Sequence, residues 1–212
     1  MLGSAFGEDC TWTEAYDMID EIILNSNALI VQNYPEGIVM EAPNVRGYLW
    51  FLKPLPFLVH HDATNGSMTF TNGFRLDSVS AFAYDEGGNC TPRNWEVKLS
   101  VESHNFESTV ILTYENMSVE FLFWKTQGKL IVSFSPIITV LEYEDTIHCG
   151  LASVTPDIRI MDYHIQFADS LIWSWFLHLT TLKDLVIQLS AELLPSVVDK
   201  YVVEPWCDKY HK

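Results

Sequence analysis

Positive charge is scarce in this sequence, which has 12 Lys and Arg residues against 28 Asp and Glu and a formal net charge of −16 at pH 7. A surface this acidic repels phosphate backbones and anionic lipid headgroups. We therefore expect no nucleic-acid partner, and we expect charge not to drive any membrane contact. Hydrophobic residues make up 48% of the chain and charged residues only 19%, which excludes a disordered chain. The apolar excess is typical of a cavity, an interface or a lipid-facing surface.

Long apolar runs and closely spaced cysteines are also missing. No apolar run reaches the roughly 18 residues that a transmembrane helix needs. The four cysteines, Cys10, Cys90, Cys149 and Cys207, include no C-x-x-C pair, and zinc and redox sites need such close pairs. We therefore expect two disulfides and a secreted, extracellular protein.

Catalytic and metal-binding patterns are missing as well. The sequence has no G-x-S-x-G elbow, no H-E-x-x-H and no glycine-rich phosphate loop. Its one histidine cluster, His60-His61-Asp62, makes a poor chelate because adjacent residues on a strand point to opposite faces. We expect no enzyme activity, no catalytic residues, no metal and no catalytic cofactor.

Three N-x-S/T sequons begin at Asn65, Asn89 and Asn116, each at a position where we expect a turn. Chance occurrence is the alternative explanation. Together with the cysteine pattern, the sequons favour a secreted glycoprotein.

Hydrophobic periodicity divides the chain into helix, sheet and helix. A capping box at Thr11–Glu14 and the apolar spacing behind it predict an amphipathic helix over residues 13 to about 26, ended by Asn25–Asn27. From Ser67 to Phe167 the period is two, which predicts an antiparallel meander of about six strands, the first bent at Gly73. The expected fold class is therefore α+β.

The end of the chain returns to helical periodicity. Leu171 opens an apolar stretch, and Thr180 and Thr181 are N-cap candidates for the leucine stripe that follows. Pro195 is expected to kink this helix without ending it. Within the meander, we expect Ser108–Tyr114 to pair back on the strand before it. We interpret residues 1–10 as an N-terminal tail and residues 11–207 as a single domain.

The meander also bears on the cysteines. Alternate loops of a meander lie at the same end of the sheet, so the loops that hold Cys90 and Cys149 lie at one end. A Cys90–Cys149 bridge is therefore geometrically allowed, and if the first and last helices pack antiparallel, Cys10–Cys207 ties the two termini together. Four cysteines allow three pairings, which the sequence leaves open.

The order of helix, long bent strand, meander and closing helix resembles a single module of the tubular lipid-binding (TULIP) superfamily. That group includes bactericidal/permeability-increasing-type proteins, insect takeout and juvenile-hormone-binding proteins, and mite group 7 allergens. The segment Gly66–Phe82 resembles the family's bent, glycine-containing strand, and Leu182–Val203 resembles its closing helix. The resemblance covers residues 11 to 204. Takeout-type proteins usually have a close N-terminal cysteine pair that this chain lacks, which favours the shorter, allergen-like branch or an outlying group.

The resemblance implies a strongly curved sheet wrapped around a long kinked C-terminal helix, with a ligand tunnel between them. It implies a secreted carrier for a lipid, an isoprenoid or a carotenoid-type pigment, and it brings no catalytic residues. The 7 Trp, 9 Tyr and 12 Phe residues suit an extended apolar ligand. The expected ligand-binding residues are Ile19, Ile23, Phe121, Phe123, Phe134, Trp173, Trp175, Phe176, Leu182, Leu185, Leu189 and Leu193.

Alternative interpretations remain. The same residues can pack a dry core. A surfactant or membrane-surface-active protein of the same fold, and a lipocalin-like carrier, are the alternative functions, although the chain lacks a lipocalin's G-x-W near its first strand. An exposed aromatic edge at Tyr48–Leu52 would allow a homodimer.

Overall fold

The computed structural model of the 212-residue chain describes residues 12–52, 57–70, 73–80, 83–84, 90–91, 96–101, 110–141 and 159–205. Its elements, in chain order, are α1 (Trp12–Asn33), β1 (Ile38–Ala42), β2 (Val45–Phe51), β3 (Phe57–Phe70), β4 (Phe74–Ser80), β5 (Ala83–Tyr84), β6 (Cys90–Thr91), β7 (Glu96–Val101), β8 (Val110–Phe121), β9 (Trp124–Leu141), β10 (Arg159–Phe167), α2 (Leu171–His178), α3 (Leu182–Val198) and a π-helical turn (Asp199–Val203). Eight strands form one curved antiparallel sheet, and β5 pairs with β6 separately. The predicted α+β class is confirmed. No helix among the described residues is long and apolar enough to span a membrane.

Three pairs of strands lie end to end, so the eight strands form five long segments. β1 and β2 both pair antiparallel with β3, and β7 and β8 both pair antiparallel with β9. β4 continues β3, because β3 pairs with β8 and β4 with β7. The segments therefore follow one another across the sheet in chain order as a meander, ending with β10 beside β9. The predicted pairing of Ser108–Tyr114 back on the preceding strand is wrong, since β8 runs in the same direction as β7 along β9.

In the two long strands β3 and β8, the alternation of buried and outward-facing residues shifts by one residue at the same level of the sheet. In β3 the buried alternation passes from His61 and Ala63 to Met68 and Phe70 across Asn65, which has a φ of 56°. In β8 a bulge lies between Tyr114 and Met117, and it keeps both of those side chains on the buried face. The extra residue on each strand keeps the apolar side facing inward while the sheet bends.

Two of the three sequons lie at this level, and neither is in a turn. Asn65 and Asn116 are exposed residues inside β3 and β8, and Asn116 pairs with Thr64. The prediction of turns there is wrong because a bulged strand and a turn use the same residue types. Asn89 lies outside the described residues.

The first helix is longer than predicted, because its polar residues bond within the fold and do not end it. The Ser26 hydroxyl donates to the carbonyl of Ile22 at 2.8 Å within the helix. The Asn27 side chain accepts from the Phe74 amide at 2.7 Å and donates to the Phe74 carbonyl at 2.8 Å. A Cβ at Gly73 would overlap the side-chain amide of Asn27, so a larger residue here would displace the group that bonds to Phe74. Thr11, the start of the predicted capping box, lies outside the described residues.

The link between α2 and α3 occupies the outer edge of β2. The Leu52 amide donates to the Leu179 carbonyl, and the Thr181 amide donates to the Trp50 carbonyl, both at 2.9 Å. Thr181 Oγ1 accepts from the Trp50 amide at 2.9 Å and leaves the helix uncapped, although Thr181 is its N-cap residue. The edge expected to pair two chains is therefore bonded within the chain at Trp50–Leu52.

The closing helix continues through Pro195, as predicted. α3 extends to Val198 and passes directly into the π-helical turn, so the missing proline N–H does not end it. A continuous core joins one face of the sheet to buried residues of α1, α2, α3 and this turn. Examples are Ile23 on α1, Leu177 on α2 and Val186 on α3.

The ends of β4, β7 and β9 lie at one level, because Ser80 pairs with Glu96 and Glu96 pairs with Leu141. The chain therefore leaves the sheet at the same end twice, after Ser80 on the way to Cys90 and after Leu141 on the way to Cys149, as the meander predicts. The Cys90 side chain and the residues Cys10, Cys149 and Cys207 lie outside the described part, so the two bridges stay predictions.

Candidate functional site: an exposed apolar end

The β8–β9 hairpin breaks two rules of a stable surface turn. Phe121 pairs with Trp124, so the connection is the two-residue turn Leu122-Phe123. Leu122 has a φ of 56°, a conformation that costs a branched residue about 1–2 kcal/mol. Two-residue turns favour Asn and Gly, and solvent-exposed turns favour polar residues. Here Leu122 is 65% exposed and Phe123 is 96% exposed.

A second exposed apolar segment lies on the β2–β3 side of the same end. Phe51 pairs with Phe57 and Trp50 pairs with Leu58, and four residues around this connection are large, apolar and exposed. They are Trp50, Leu52, Phe57 and Leu58. Their hydrophobic side chains are not needed to fill the core.

The third segment is α2, which is apolar nearly all round. Ser170 Oγ accepts from the Trp173 amide at 3.4 Å and caps the helix start. Phe167, just before the turn, donates its amide to Ser174 Oγ at 2.9 Å, which holds α2 against the end of β10. Residues on the opposite side of this short helix face solvent; they are Leu171, Ile172 and Trp175.

A triangle of phenylalanines joins the three segments. Phe51 from β2 stacks on Phe176 from α2 with ring centroids 4.9 Å apart. Phe121 from the hairpin lies 5.4 Å from the Phe51 ring and 5.0 Å from the Phe176 ring. Phe57 extends the cluster, with its ring 6.3 Å from that of Phe121. The three exposed segments therefore lie at one end of the molecule.

We name this surface the apolar end. It comprises Trp50, Leu52, Phe57, Leu58, Leu122, Phe123, Trp124, Leu171, Ile172 and Trp175. These are ten of the sixteen exposed large hydrophobic residues in the described part of the chain. Such clustering marks an interaction surface, because single exposed apolar residues are ordinarily scattered. Glu120 and Lys125, which pair across β8 and β9 directly behind the hairpin, bring opposite charges to its base.

The predicted ligand-binding residues divide into three groups and do not form one wall. Five are buried in the core: Ile19, Ile23, Phe134, Leu182 and Leu189. Five are partly buried and pack against it: Phe121, Trp173, Phe176, Leu185 and Leu193. Phe123 and Trp175 are exposed at the apolar end, so their predicted place inside a tunnel is wrong. A hairpin tip and the outer side of α2 cannot face an interior.

The sequence prediction missed most of the apolar end. Phe121-Leu122-Phe123-Trp124 is an uninterrupted apolar run where the chain must reverse, which is a detectable conflict between turn chemistry and hydrophobicity. The alternating apolar residues of β8 and β9 on either side made this run look like part of a strand. The convergence of this run with Trp50 and Leu171 depends on the tertiary fold.

Two open grooves lie along the seam between β1–β2 and α3. One has a volume of about 490 Å³ and is lined by Asn44, Val45, Arg46, Gly47, Tyr48, Leu49, His61, Thr181, Asp184, Leu185 and Gln188. The other has a volume of about 700 Å³ and is lined by Glu41, Ala42, Pro43, Asn44, Asn65, Gly66, Glu192 and Leu193. Asn44 borders both. Polar side chains make up much of each lining, and Leu185 and Leu193 are the only predicted ligand residues that line them.

Tyr114 lies beneath the larger groove. Its hydroxyl donates to the Pro43 carbonyl at 2.7 Å, and its ring occupies the space that a Cβ on Gly66 would fill. Burial, and then the negative charge of Glu192, raise the pKa of Tyr114 to about 12. The hydroxyl stays protonated at neutral pH and fixes the β1–β2 bend as a donor.

No described group of three or more His, Cys, Asp or Glu side chains is arranged to hold a metal ion. No protein-family model matches the chain, and no curated protein matches it.

Proposed function

We propose that the protein is a secreted, surface-active lipid-binding protein that inserts its apolar end into an uncharged lipid interface. The observation that carries this proposal is the hairpin tip, where Leu122 holds a positive φ and Phe123 is 96% exposed. Backbone strain and aromatic exposure both cost stability in water. Both are compensated when the tip enters an apolar phase.

The shape and composition of the apolar end support a fluid partner. A protruding two-residue turn penetrates a lipid layer readily, whereas a second protein would need a matching concavity. The apolar end contains three tryptophans beside its leucine and isoleucine side chains, and each tryptophan ring carries one polar N–H; they are Trp50, Trp124 and Trp175. Such side chains favour the boundary between headgroups and acyl chains.

The charge of the chain selects the lipid. With a formal net charge of −16, the protein is repelled by anionic headgroups, and its binding energy must come from apolar burial. We expect zwitterionic or neutral lipids to bind most tightly. Under this proposal the sheet wraps around α3 and presents the apolar end as one rigid surface.

Vesicle binding tests the proposal. Tryptophan emission is measured during titration with phosphatidylcholine vesicles, and then with vesicles that also contain phosphatidylglycerol. We expect a blue shift on binding, weaker binding to the anionic vesicles at low salt, and a fall in surface tension at an air–water interface. Absence of binding and of surface activity would contradict the proposal. A stable dimer that Phe123→Ser converts to monomers would assign the apolar end to a protein partner.

Carriage of a lipid, isoprenoid or carotenoid-type pigment is the second candidate. The grooves beside Leu185 and Leu193 lie between the sheet edge and α3, where the family resemblance places a ligand. Organic extraction and mass spectrometry of the purified protein check this candidate. A stoichiometric apolar ligand is the expected result, and a clean extract contradicts carriage while leaving surface binding untouched.

A further inference from the structure

We infer that Asn65 carries an N-linked oligosaccharide whose first sugar lies in the 700 Å³ groove between the β1–β2 bend and α3. We name this cavity the glycan groove and define it by its lining, which includes Asn65 and Glu192. The inference depends on secretion, which is part of the proposed function, and it is independent of lipid binding. It goes beyond the sequon itself, because the fold gives Asn65 surroundings that the sequon at Asn116 does not have.

Asn65 belongs to the wall of the glycan groove. It lines the cavity together with Glu192 and Leu193 of α3, and it is exposed. The Asn65 amide donates to Asn44 Oδ1 at 3.2 Å, and Asn44 lines the same groove. This hydrogen bond and the φ of 56° hold the Asn65 backbone in one direction. A sugar attached to the Asn65 side chain therefore begins at the groove wall.

Asn116 has different surroundings. It pairs with Thr64, and its neighbour Met117 is buried. Adjacent residues on a strand point to opposite faces, so Asn116 projects from the outer face of the sheet. It lines neither of the two grooves beside α3. A sugar on Asn116 would extend into solvent, and this position is therefore an internal comparison for Asn65.

The lining of the glycan groove suits an uncharged sugar better than an alkyl chain. Glu41 and Glu192 bring exposed carboxylates to it, one from the sheet and one from α3. Carboxylate oxygens accept hydrogen bonds, and sugar hydroxyls donate them. Pro43 and Leu193 add short apolar walls for the C–H groups of a sugar ring. An anionic ligand would be repelled, and an alkyl chain would desolvate the carboxylates without bonding to them.

The floor of the glycan groove is held in place beneath the sequon. Gly66, the middle residue of the sequon, lies against the Tyr114 ring, which occupies the space of a Cβ. The Tyr114 hydroxyl donates to the Pro43 carbonyl at 2.7 Å. The volume of about 700 Å³ lies within the range of small-molecule sites, roughly 300–1,000 Å³. The groove is therefore preformed and large enough for the first sugar.

Attachment follows the ordinary chemistry of sequons. The donor is an oligosaccharide linked to a lipid diphosphate. Asn65 Nδ2 forms a bond to the anomeric carbon, the bond from that carbon to the diphosphate oxygen breaks with its electron pair on the oxygen, and Nδ2 loses one proton. The transfer takes place on the extended chain in the secretory pathway, so the sheet does not obstruct it. The fold then decides where the sugar lies.

The glycan groove is remote from the apolar end. Phe57 and Asn65 are eight residues apart on β3, which is about 25 Å at the rise of a strand. The sugar therefore leaves the apolar end free to enter a lipid layer. A sugar beside Leu193 also leaves only the groove beside Leu185 for a carried ligand.

Enzymatic release of the sugars tests the inference. The full-length protein is produced through the secretory pathway of mammalian cells and treated, folded or denatured, with an amidase that cleaves N-glycans. In ¹⁸O-labelled water each released site becomes a labelled aspartate, which mass spectrometry counts separately at each sequon. We expect sugar at Asn65, released more slowly from folded than from denatured protein by about tenfold or more, the value of one to two hydrogen bonds. Release at Asn116 should be slowed much less.

Glu192→Ala gives a second measurement, because it removes an acceptor on the helix side of the groove. It should speed release at Asn65 from the folded protein by about threefold or more. Asp17→Ala is the matched control, since it removes an exposed carboxylate from α1 outside the groove, and it should leave the rate unchanged. An unmodified Asn65 would overturn the inference. So would release at Asn65 as fast as at Asn116, no effect of Glu192→Ala, or equal effects of the two variants.

Vesicle binding by the same preparations separates this inference from the proposed function. Vesicle binding by a protein that is unmodified at Asn65 would contradict only the glycan. A protected sugar at Asn65 without vesicle binding would contradict only the surface activity.

Discussion

Replacing Phe123 by serine should remove much of the affinity for lipid while leaving the fold intact. Phe123 is 96% exposed, so the side chain contributes almost nothing to the core. The free energy of unfolding should therefore change by less than about 0.5 kcal/mol, as for other surface positions. Serine also suits a tight turn, and the hairpin should form normally.

The loss of affinity follows from the apolar area that the side chain can bury. Transfer of a phenylalanine side chain out of water is worth about 2–3 kcal/mol. Phe123 begins almost fully in water, so nearly all of this energy is available when the tip enters a lipid layer. A loss of about 2 kcal/mol weakens partitioning by roughly 30-fold.

The assay is titration of the wild type and the variant with phosphatidylcholine vesicles, followed by tryptophan emission. Leu24→Ser is the matched control, because Leu24 is 61% exposed on α1, outside the apolar end. The control should bind as the wild type does. Equal affinities for Phe123→Ser and wild type would refute insertion of the hairpin, and equal losses in both variants would indicate a general effect of surface hydrophobicity.

Three further predictions concern the fold and the buried histidine. Leu122→Gly should raise the free energy of unfolding, measured by urea denaturation, by about 1 kcal/mol, because glycine tolerates the φ of 56°. The same variant should bind vesicles more weakly. An unchanged free energy of unfolding would show that the turn is unstrained. Asn27→Ala should lower the free energy of unfolding by about 2 kcal/mol, because both backbone groups of Phe74 lose their partner, whereas the neighbouring exposed Asn25→Ala should have little effect. His61 has a lowered pKa in the folded state, so the unfolded chain binds more protons below the ordinary value of about 6.5, and stability should fall as the pH decreases below that value. His61→Phe should flatten this slope in denaturation curves recorded between pH 7.5 and 5, and an unchanged slope would assign it to other groups.

Local periodicity predicted the elements well wherever one side of an element is buried. The helix through Pro195 follows from apolar spacing that continues past an unfavourable residue, and β4 follows from the apolar alternation that resumes after Gly73. The end of α1 was not predictable in this way. Asn27 favours a helix end by itself, and only its bonds to Phe74, far along the chain, make it part of the helix.

The candidate site could be predicted from the sequence less well than the fold could. Burial of Ile23 or Leu189 follows from periodicity, but periodicity does not distinguish a packed core from a tunnel wall. Phe123 has the same residue type as Phe134 and lies on the same long hairpin, yet one is fully exposed and the other fully buried. The difference arises because a residue in the turn has no neighbouring strand to cover it.

The amino-acid sequence was sufficient to predict the α+β class, the meander and the helical character of the closing segment, and it contains the acidic net charge. These properties depend on composition and on spacing within single elements. The tertiary structure alone decided that Phe51, Phe121 and Phe176 meet and bring three exposed apolar segments to one end. It also decided that His61 faces Asp184 across a groove. Contacts between residues more than a hundred positions apart depend on how the sheet bends and where α2 crosses to β2, and no local pattern encodes that geometry.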